Sequence, residues 1–106
     1  MIVELQNGGQ LEFNVPADTN IWHRTAGGDS QTIEKCNQHS TRVCDKWRTG
    51  TIWPVNSEKA VPIGVTMDGG RLIMPKVSKA DSGEYYTYYE GKNSATHYQY
   101  FDVSVN

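Results

Sequence analysis

Cysteine chemistry is the first possibility that the sequence offers, because Cys36 and Cys44 stand eight positions apart in a polar stretch. A bond between them would close a ring of about nine residues, worth about 2.5 kcal/mol by the chain-entropy relation. His39 lies between them, so the pair could instead contribute to a zinc site completed by Asp45 or His97. Structural zinc normally has four ligands in two close pairs, which this segment lacks. The spacing therefore favours a local disulfide over zinc or two free thiols, and we expect no metal and no cofactor.

Possible catalytic residues are few, and their spacing is unfavourable. Asp81–Gly83 is an Asp-Ser-Gly triplet, as in aspartic proteases, where it follows an apolar strand early in the chain. Here Lys79 and Ala80 precede it and Glu84 follows it, at position 81 of 106. The histidines show no spacing to a serine or cysteine that suggests a catalytic triad. The glycine pairs fit turns rather than a phosphate-binding loop. The sequence thus predicts a protein that is not an enzyme.

Length and charge limit the class of protein. The chain has 106 residues, which corresponds to one domain over residues 1–106. The net charge is -2 and the basic residues are scattered, so neither nucleic acid nor an anionic membrane is an expected partner. No apolar run is long enough to cross a bilayer, and we recognise no leader peptide. The opening Met1–Glu4 therefore fits a cytosolic protein or a secreted domain without its leader.

Period-2 alternation of apolar and polar residues dominates most of the chain and predicts β-strands. Turn-forming residues separate the alternating segments every 8–12 positions or so, a spacing typical of β-sandwiches. The predicted strands span residues 2–6, 11–15 (ended by Pro16), 21–24, 61–67, 71–74, 85–89 and 97–105.

Residues 34–57 are the exception, because they contain both cysteines, Trp47, Trp53 and Pro54 without clean alternation. They are predicted to form a long, partly irregular insertion. Long loops in compact domains are often functional. The alternative is a loop without a function of its own that a local cross-link holds in place. The sequence does not decide between a functional and a non-functional loop.

Two closely spaced motifs carry a family resemblance. Gly70–Met74 is a Gly-x-Leu-x-Ile-type strand with Met at its last position, Val77 follows at the expected spacing, and Asp81–Tyr85 matches Asp-x-Gly-x-Tyr. Together they resemble the E–F region of immunoglobulin domains, particularly the I-set. The resemblance implies an all-β, immunoglobulin-like antiparallel β-sandwich with Greek-key connections and a long insertion between strands C and D. It also implies that Tyr85 forms the tyrosine corner and that Gly83 permits a tight bend.

The resemblance extends upstream and downstream. Leu11 and Phe13 are similar to strand B and Trp22 to the tryptophan of strand C, while alternating apolar residues from Phe101 to Val105 resemble strand G. The positions of the family's inter-sheet disulfide correspond to Phe13 and Thr87, so that bond is absent. We expect Trp22 to pack on Phe13 and to be the central core tryptophan, with Trp47 and Trp53 outside the core.

The tyrosines give the most informative surface prediction. With Tyr85 and Thr87 facing the core, period-2 geometry turns their neighbours outward, and the same holds on strands G and C. The predicted protein-binding residues are Tyr86, Tyr88, Tyr98, Tyr100, Ile21 and His23. The alternative is that tyrosine is simply a good strand former on a solvated sheet, and a bulge in strand G would reverse half of the assignment.

Taken together, these features predict non-catalytic recognition or adhesion by an extracellular domain of a cell-surface or secreted protein, with a protein partner that could be a second copy. The runner-up is a structural immunoglobulin module of a titin-like intracellular protein. The missing inter-sheet disulfide favours the runner-up, and the close cysteine pair favours the extracellular alternative.

Overall fold

Two packed β-sheets form the protein in a computed structural model that describes residues 1–15, 19–51, 53, 55–90 and 96–106. Pro16, which was predicted to end the second strand, and Pro54 of the insertion lie outside the described residues. No helix in the described part of the chain is long and apolar enough to span a membrane. The strands, in chain order, are β1 (Ile2–Leu5), β2 (Leu11–Asn14), β3 (Ile21–Ala26), β4 (Asp29–Glu34), β5 (Arg48–Thr49), β6 (Lys59–Ala60), β7 (Thr66–Asp68), β8 (Arg71–Met74), β9 (Gly83–Glu90) and β10 (Thr96–Val105).

The strand order defines an immunoglobulin-type sandwich. The larger sheet has seven strands in the order β1-β10-β9-β3-β4-β5-β6, and the smaller has three in the order β2-β8-β7. Strand β1 runs parallel to β10, and the other pairs are antiparallel. The chain crosses between the sheets after β1, β2, β6 and β8, as in Greek-key sandwiches. In immunoglobulin terms β2, β3, β8, β9 and β10 are strands B, C, E, F and G.

The core forms where the inward residues of both sheets meet. Strand β2 shows the pattern clearly, because Leu11 and Phe13 are buried while the residues between and after them are exposed. The ring of Phe13 stacks on Trp22 at 5.1 Å and on Phe101 at 4.2 Å between centroids. Trp22 is completely buried. The predicted packing of Trp22 on Phe13 is confirmed.

Trp47 corrects one prediction, because it is also completely buried and belongs to the core. It lies edge-on to Tyr85, with 5.8 Å between ring centroids. The adjacent Arg48 pairs with Thr32 of β4, which anchors this part of the insertion to the large sheet. A strand of two residues is too short to show alternation, so the burial of Trp47 could not be predicted from sequence periodicity. Trp53 is 81% exposed, as predicted.

Strand boundaries differ in two further places. The strand predicted over 61–67 is reduced to Thr66–Asp68, and a separate short strand, Lys59–Ala60, precedes it. Asp29–Glu34 is a strand that we did not predict, because only Ile33 within it is buried. It forms a hairpin with β3 through Gly27 and Gly28, both at positive φ. Extra strands beside strand C are a feature of variable-type domains.

The turn before β9 contains the tyrosine corner. The Tyr85 hydroxyl donates to the carbonyl oxygen of Asp81 at 2.6 Å, as the motif predicts. Gly83 has a second role that the sequence did not predict. A Cβ atom there would lie 1.8 Å from the carbonyl oxygen of Thr25. Glycine is needed because β9 approaches β3 so closely, and its φ of 153° is a backbone conformation that other residues rarely adopt.

Candidate functional site: an aromatic sheet face beside the disulfide loop

The predicted binding residues lie on the outward side of the large sheet. Strand register places Tyr98 opposite Tyr88, Tyr100 opposite Tyr86, and His23 opposite Tyr86. Directly opposite residues in antiparallel strands point to the same side of the sheet, so these side chains share one face. Ile21 lies two positions before His23 on β3 and therefore joins them. We call this set of residues on β3, β9 and β10 the tyrosine face.

The aromatic rings of the tyrosine face form a continuous strip. Centroids are 5.1 Å apart for Tyr88 and Tyr98, 6.1 Å for Tyr86 and Tyr98, and 6.2 Å for Tyr98 and Tyr100. At its other end, His23 stacks on Tyr86 at 5.2 Å. Tyr88 and Tyr98 are each 51% exposed, while Tyr86 and Tyr100 are half-buried. The strip is held in place by its own ring contacts and remains open to a partner.

His23 is the titratable end of the strip. Its Nδ1 atom lies 3.1 Å from the Thr32 hydroxyl oxygen. Burial lowers the pKa of His23, the positive charge of Arg48 lowers it further, and Glu34 opposes both effects. The imidazole is therefore mainly uncharged at neutral pH, and it presents an aromatic ring rather than a cation.

The hydroxyls of Tyr98 and Tyr100 stay protonated at neutral pH, because the pKa of each is raised. Crowding by neighbouring side chains raises the pKa of Tyr98, and the nearby Tyr88 hydroxyl adds to this. A hydrogen-bonding interaction with the Glu84 carboxylate raises the pKa of Tyr100. Protonated hydroxyls can donate and accept hydrogen bonds while the rings offer apolar area. Such a surface is suited to binding rather than to proton transfer.

The disulfide loop borders the tyrosine face. Cys36 and Cys44 are bonded, as predicted. Arg48 projects on the same side of the sheet as Thr32 and His23, because each is opposite the next in register. Its guanidinium donates to the Val43 carbonyl oxygen at 2.9 Å, inside the disulfide ring. The loop closed by the Cys36–Cys44 bond therefore covers Arg48 on the β5 side of the tyrosine face.

Ion pairs tie this border together. Arg48 pairs with Glu34 of β4, and Arg42 of the loop donates to the Glu58 carboxylate at 2.8 Å. The Asp45 carboxylate accepts from the backbone N–H of Cys36 at 2.9 Å. The described part of the insertion is partly irregular, as predicted, because Arg48–Thr49 is its one strand after β4. It is fastened to the same sheet that carries the tyrosines.

The alternative chemistry considered for these residues does not fit the structure. Sulfur atoms that form a disulfide cannot bind zinc as thiolates, which removes the site proposed around Cys36, His39 and Cys44. Within the described ranges no group of three or more metal-binding side chains comes together. Asp81 of the Asp-Ser-Gly triplet is buried in an ion pair with Arg24 at 2.9 Å. Its role is structural.

An open groove of about 540 Å³ is a separate feature that the sequence did not predict. It runs between β1 and β2, which are edge strands of different sheets. The groove therefore exists only because the two sheets pack together. Its apolar lining comes mainly from Val3, Leu5, Leu11, Phe13 and Phe101.

Comparison with known proteins supports the fold. No family model matches the sequence, and no curated protein sequence matches it. Among solved structures, the chain is similar to the N-terminal four Ig domains of Dscam1 isoform 4.44, with a TM-score of 0.52 and 14% identity. The match covers 99% of this chain but only 22% of that one. The V domain of amphioxus IgVJ-C2 aligns with a TM-score of 0.41 and 17% identity, over 97% of this chain and 98% of that one.

Sheet order, core and tyrosine corner together define the class: the protein has an immunoglobulin-type β-sandwich fold. At 14% identity the Dscam1 likeness extends to the fold alone.

Proposed function

We propose that residues 1–106 form one non-catalytic recognition domain that binds a protein partner through the tyrosine face. The observation that carries the proposal is the continuous ring strip, in which Tyr88 and Tyr98 are each 51% exposed although they are large aromatic side chains. Tyrosine is enriched at protein interfaces because it offers rigid area with a polar end. A flat sheet face of this kind can bury about 800 Å² per partner, the size of an ordinary specific interface.

An extracellular location, in an adhesion molecule, receptor or secreted binder, agrees best with this role. Disulfides persist in oxidising compartments, and the bonded Cys36–Cys44 pair supports such a setting. The full-length precursor would test the assignment, because a leader peptide or neighbouring extracellular domains should be present.

The alternative is a structural module of an intracellular, titin-like protein. Phe13 and Thr87 occupy the positions where many immunoglobulin domains have their inter-sheet disulfide, and reducing compartments do not require that bond. The I-set subtype would agree with either location. Two free thiols in protein isolated from its natural source under alkylating conditions would favour this alternative.

The decisive experiment removes two tyrosines from the tyrosine face. A few aromatic anchors usually carry most of the binding energy, so Tyr88→Ala with Tyr100→Ala should weaken partner binding by roughly tenfold or more. Because these side chains point outward, the fold should remain, as circular dichroism and thermal melting would show. Affinity would be measured by surface plasmon resonance with each partner isolated on the wild-type chain.

A matched control removes the aromatic pair formed by Tyr89 and His97, whose rings stack at 5.2 Å. These residues alternate with those of the tyrosine face, so Tyr89→Ala with His97→Ala should leave affinity nearly unchanged. Equal binding by the wild-type chain and the Tyr88/Tyr100 variant would reject the proposal and make the 34–57 insertion the leading alternative.

Binding between two copies of the chain, symmetric about a two-fold axis, would appear as concentration-dependent dimerisation in sedimentation velocity.

A further inference from the structure

The charged side chains on the β1, β9 and β10 part of the tyrosine face are acidic, whereas Arg48 on the β4 and β5 side is buried and paired with Glu34. Strand alternation places Glu4 of β1, Glu84 of β9 and Asp102 of β10 on the outward side of the sheet, and all three are exposed. Among the described residues of β1, β3, β9 and β10, no lysine or arginine side chain projects on that side. The α-amino group of Met1 lies at the edge, 3.5 Å from the carbonyl oxygen of Tyr100. Apart from this amino group, the exposed charges on the β1, β9 and β10 part of the tyrosine face are therefore acidic.

Two of these carboxylates are placed where they cost stability. Glu84 and Asp102 stand directly opposite each other on β9 and β10. Like charges in opposite positions of a sheet are destabilising. In the described part of the chain neither carboxylate has a basic partner, whereas Glu34 and Asp81 are each paired with an arginine. A cation from a binding partner, placed beside the half-buried rings of Tyr86 and Tyr100, would relieve the repulsion between these two carboxylates.

The interior of the same protein shows how such groups hold an arginine. The Arg24 guanidinium lies 4.6 Å from the centroid of the Trp47 ring while it donates to Asp81 at 2.9 Å. An aromatic face attracts the delocalised cation, and the carboxylate fixes its orientation. The tyrosine face offers the same two kinds of group at the surface, with Tyr86 and Tyr100 beside Glu84 and Asp102.

We propose that the partner of the tyrosine face presents arginine side chains, which lie against the tyrosine rings and pair with Glu84 and Asp102. This inference rests on the proposed function and specifies the chemistry of its partner. A second copy of the chain fits less well. In a two-fold contact through this face, an acidic patch would meet an acidic patch, and like-charge juxtaposition opposes association.

The probe for the test is a displayed library of random peptides, selected on the full chain and sequenced. Selected peptides are then measured on the Tyr88→Ala/Tyr100→Ala variant. Arginine-rich peptides that lose binding to this variant would support the inference. Neutral or acidic peptides that depend on the tyrosines would overturn the inference and leave the proposed function standing. A selection in which no peptide depends on the tyrosines would overturn both.

Charge removal provides the second measurement. Glu84→Gln with Asp102→Asn should weaken binding of the selected peptides by roughly three- to tenfold, as loss of two exposed ion pairs implies. Binding to the wild-type chain should also weaken as salt is added, because salt screens exposed charges. The matched control is Glu12→Gln with Asp68→Asn, two exposed carboxylates on the smaller sheet. Equal losses in both variants would mean that net charge alone attracts the peptides, which would contradict the inference.

Discussion

Arg24 and Asp81 form a buried ion pair, with 2.9 Å between guanidinium nitrogen and carboxylate oxygen and side-chain exposures of 3% and 5%. The same guanidinium donates to the Tyr85 hydroxyl at 2.8 Å, and the other Asp81 oxygen accepts from the backbone N–H of Ser78 at 2.9 Å. Strand β3 is thereby fastened to the turn that leads into β9. Arg24 therefore binds two residues of the Asp-x-Gly-x-Tyr motif, Asp81 and Tyr85.

Loss of the ion pair between Arg24 and Asp81 should strongly lower the stability of the fold. Removal of one partner leaves the other charge buried and uncompensated, so Asp81→Ala should lower the free energy of unfolding by about 3–5 kcal/mol. Urea denaturation followed by tryptophan fluorescence would measure the loss. In a double-mutant cycle, Arg24→Met combined with Asp81→Ala should cost less than the sum of the single changes. Additive losses would mean that the two residues stabilise the fold independently.

Replacement by alanine should affect stability strongly at Trp22 and Trp47 but hardly at Trp53. Trp22 and Trp47 are each completely buried, so replacement by alanine should cost about 3–5 kcal/mol at either position. Trp53→Ala should change stability by less than about 0.5 kcal/mol, because its side chain is exposed. Thermal melting of the three variants would compare them. If Trp47→Ala melted like Trp53→Ala, the insertion would not be anchored in the core.

The disulfide should order the loop that covers Arg48. Replacing both cysteines by serine should lower the free energy of unfolding by about 2.5 kcal/mol if chain entropy dominates. Amide hydrogen exchange should rise around Val43, whose carbonyl oxygen accepts from Arg48.

In the wild-type protein, thiol titration after denaturation without reductant should find almost no reactive sulfur. Detection of two thiols would contradict the bond.

Acid should weaken the fold through His23. Its pKa is lowered in the folded state, mainly by burial, from an unfolded value of 6.5. As the pH falls through about 6.5, the unfolded chain gains a proton that the folded chain resists, so stability decreases until the pH passes the lowered pKa. Denaturation midpoints between about pH 8 and pH 5 would reveal the slope. His23→Gln should flatten it, and the exposed His39→Gln variant should retain the wild-type slope.

Much of the fold follows from local pattern. Leu11 and Phe13 alternate with polar neighbours because one side of β2 faces the core, and on β8 the buried residues Leu72 and Met74 flank the half-buried Ile73. The Asp-x-Gly-x-Tyr motif identified the corner at Tyr85, because its hydrogen bond spans only four residues. The same period-2 rule assigned the tyrosines to one face, since a strand turns alternate side chains outward whatever lies beside it.

Tertiary structure decided the rest. Trp47 enters the core from a two-residue strand that has no period to detect, and its place depends on pairing between β5 and β4. Arg24 has the sequence appearance of a surface residue, and only its contact with Asp81, 57 positions away, explains its burial. The disulfide loop lies beside the tyrosine face because Arg48 holds it there. Sequence periodicity reports which way a side chain points, but partners far along the chain are fixed only when the two sheets pack together.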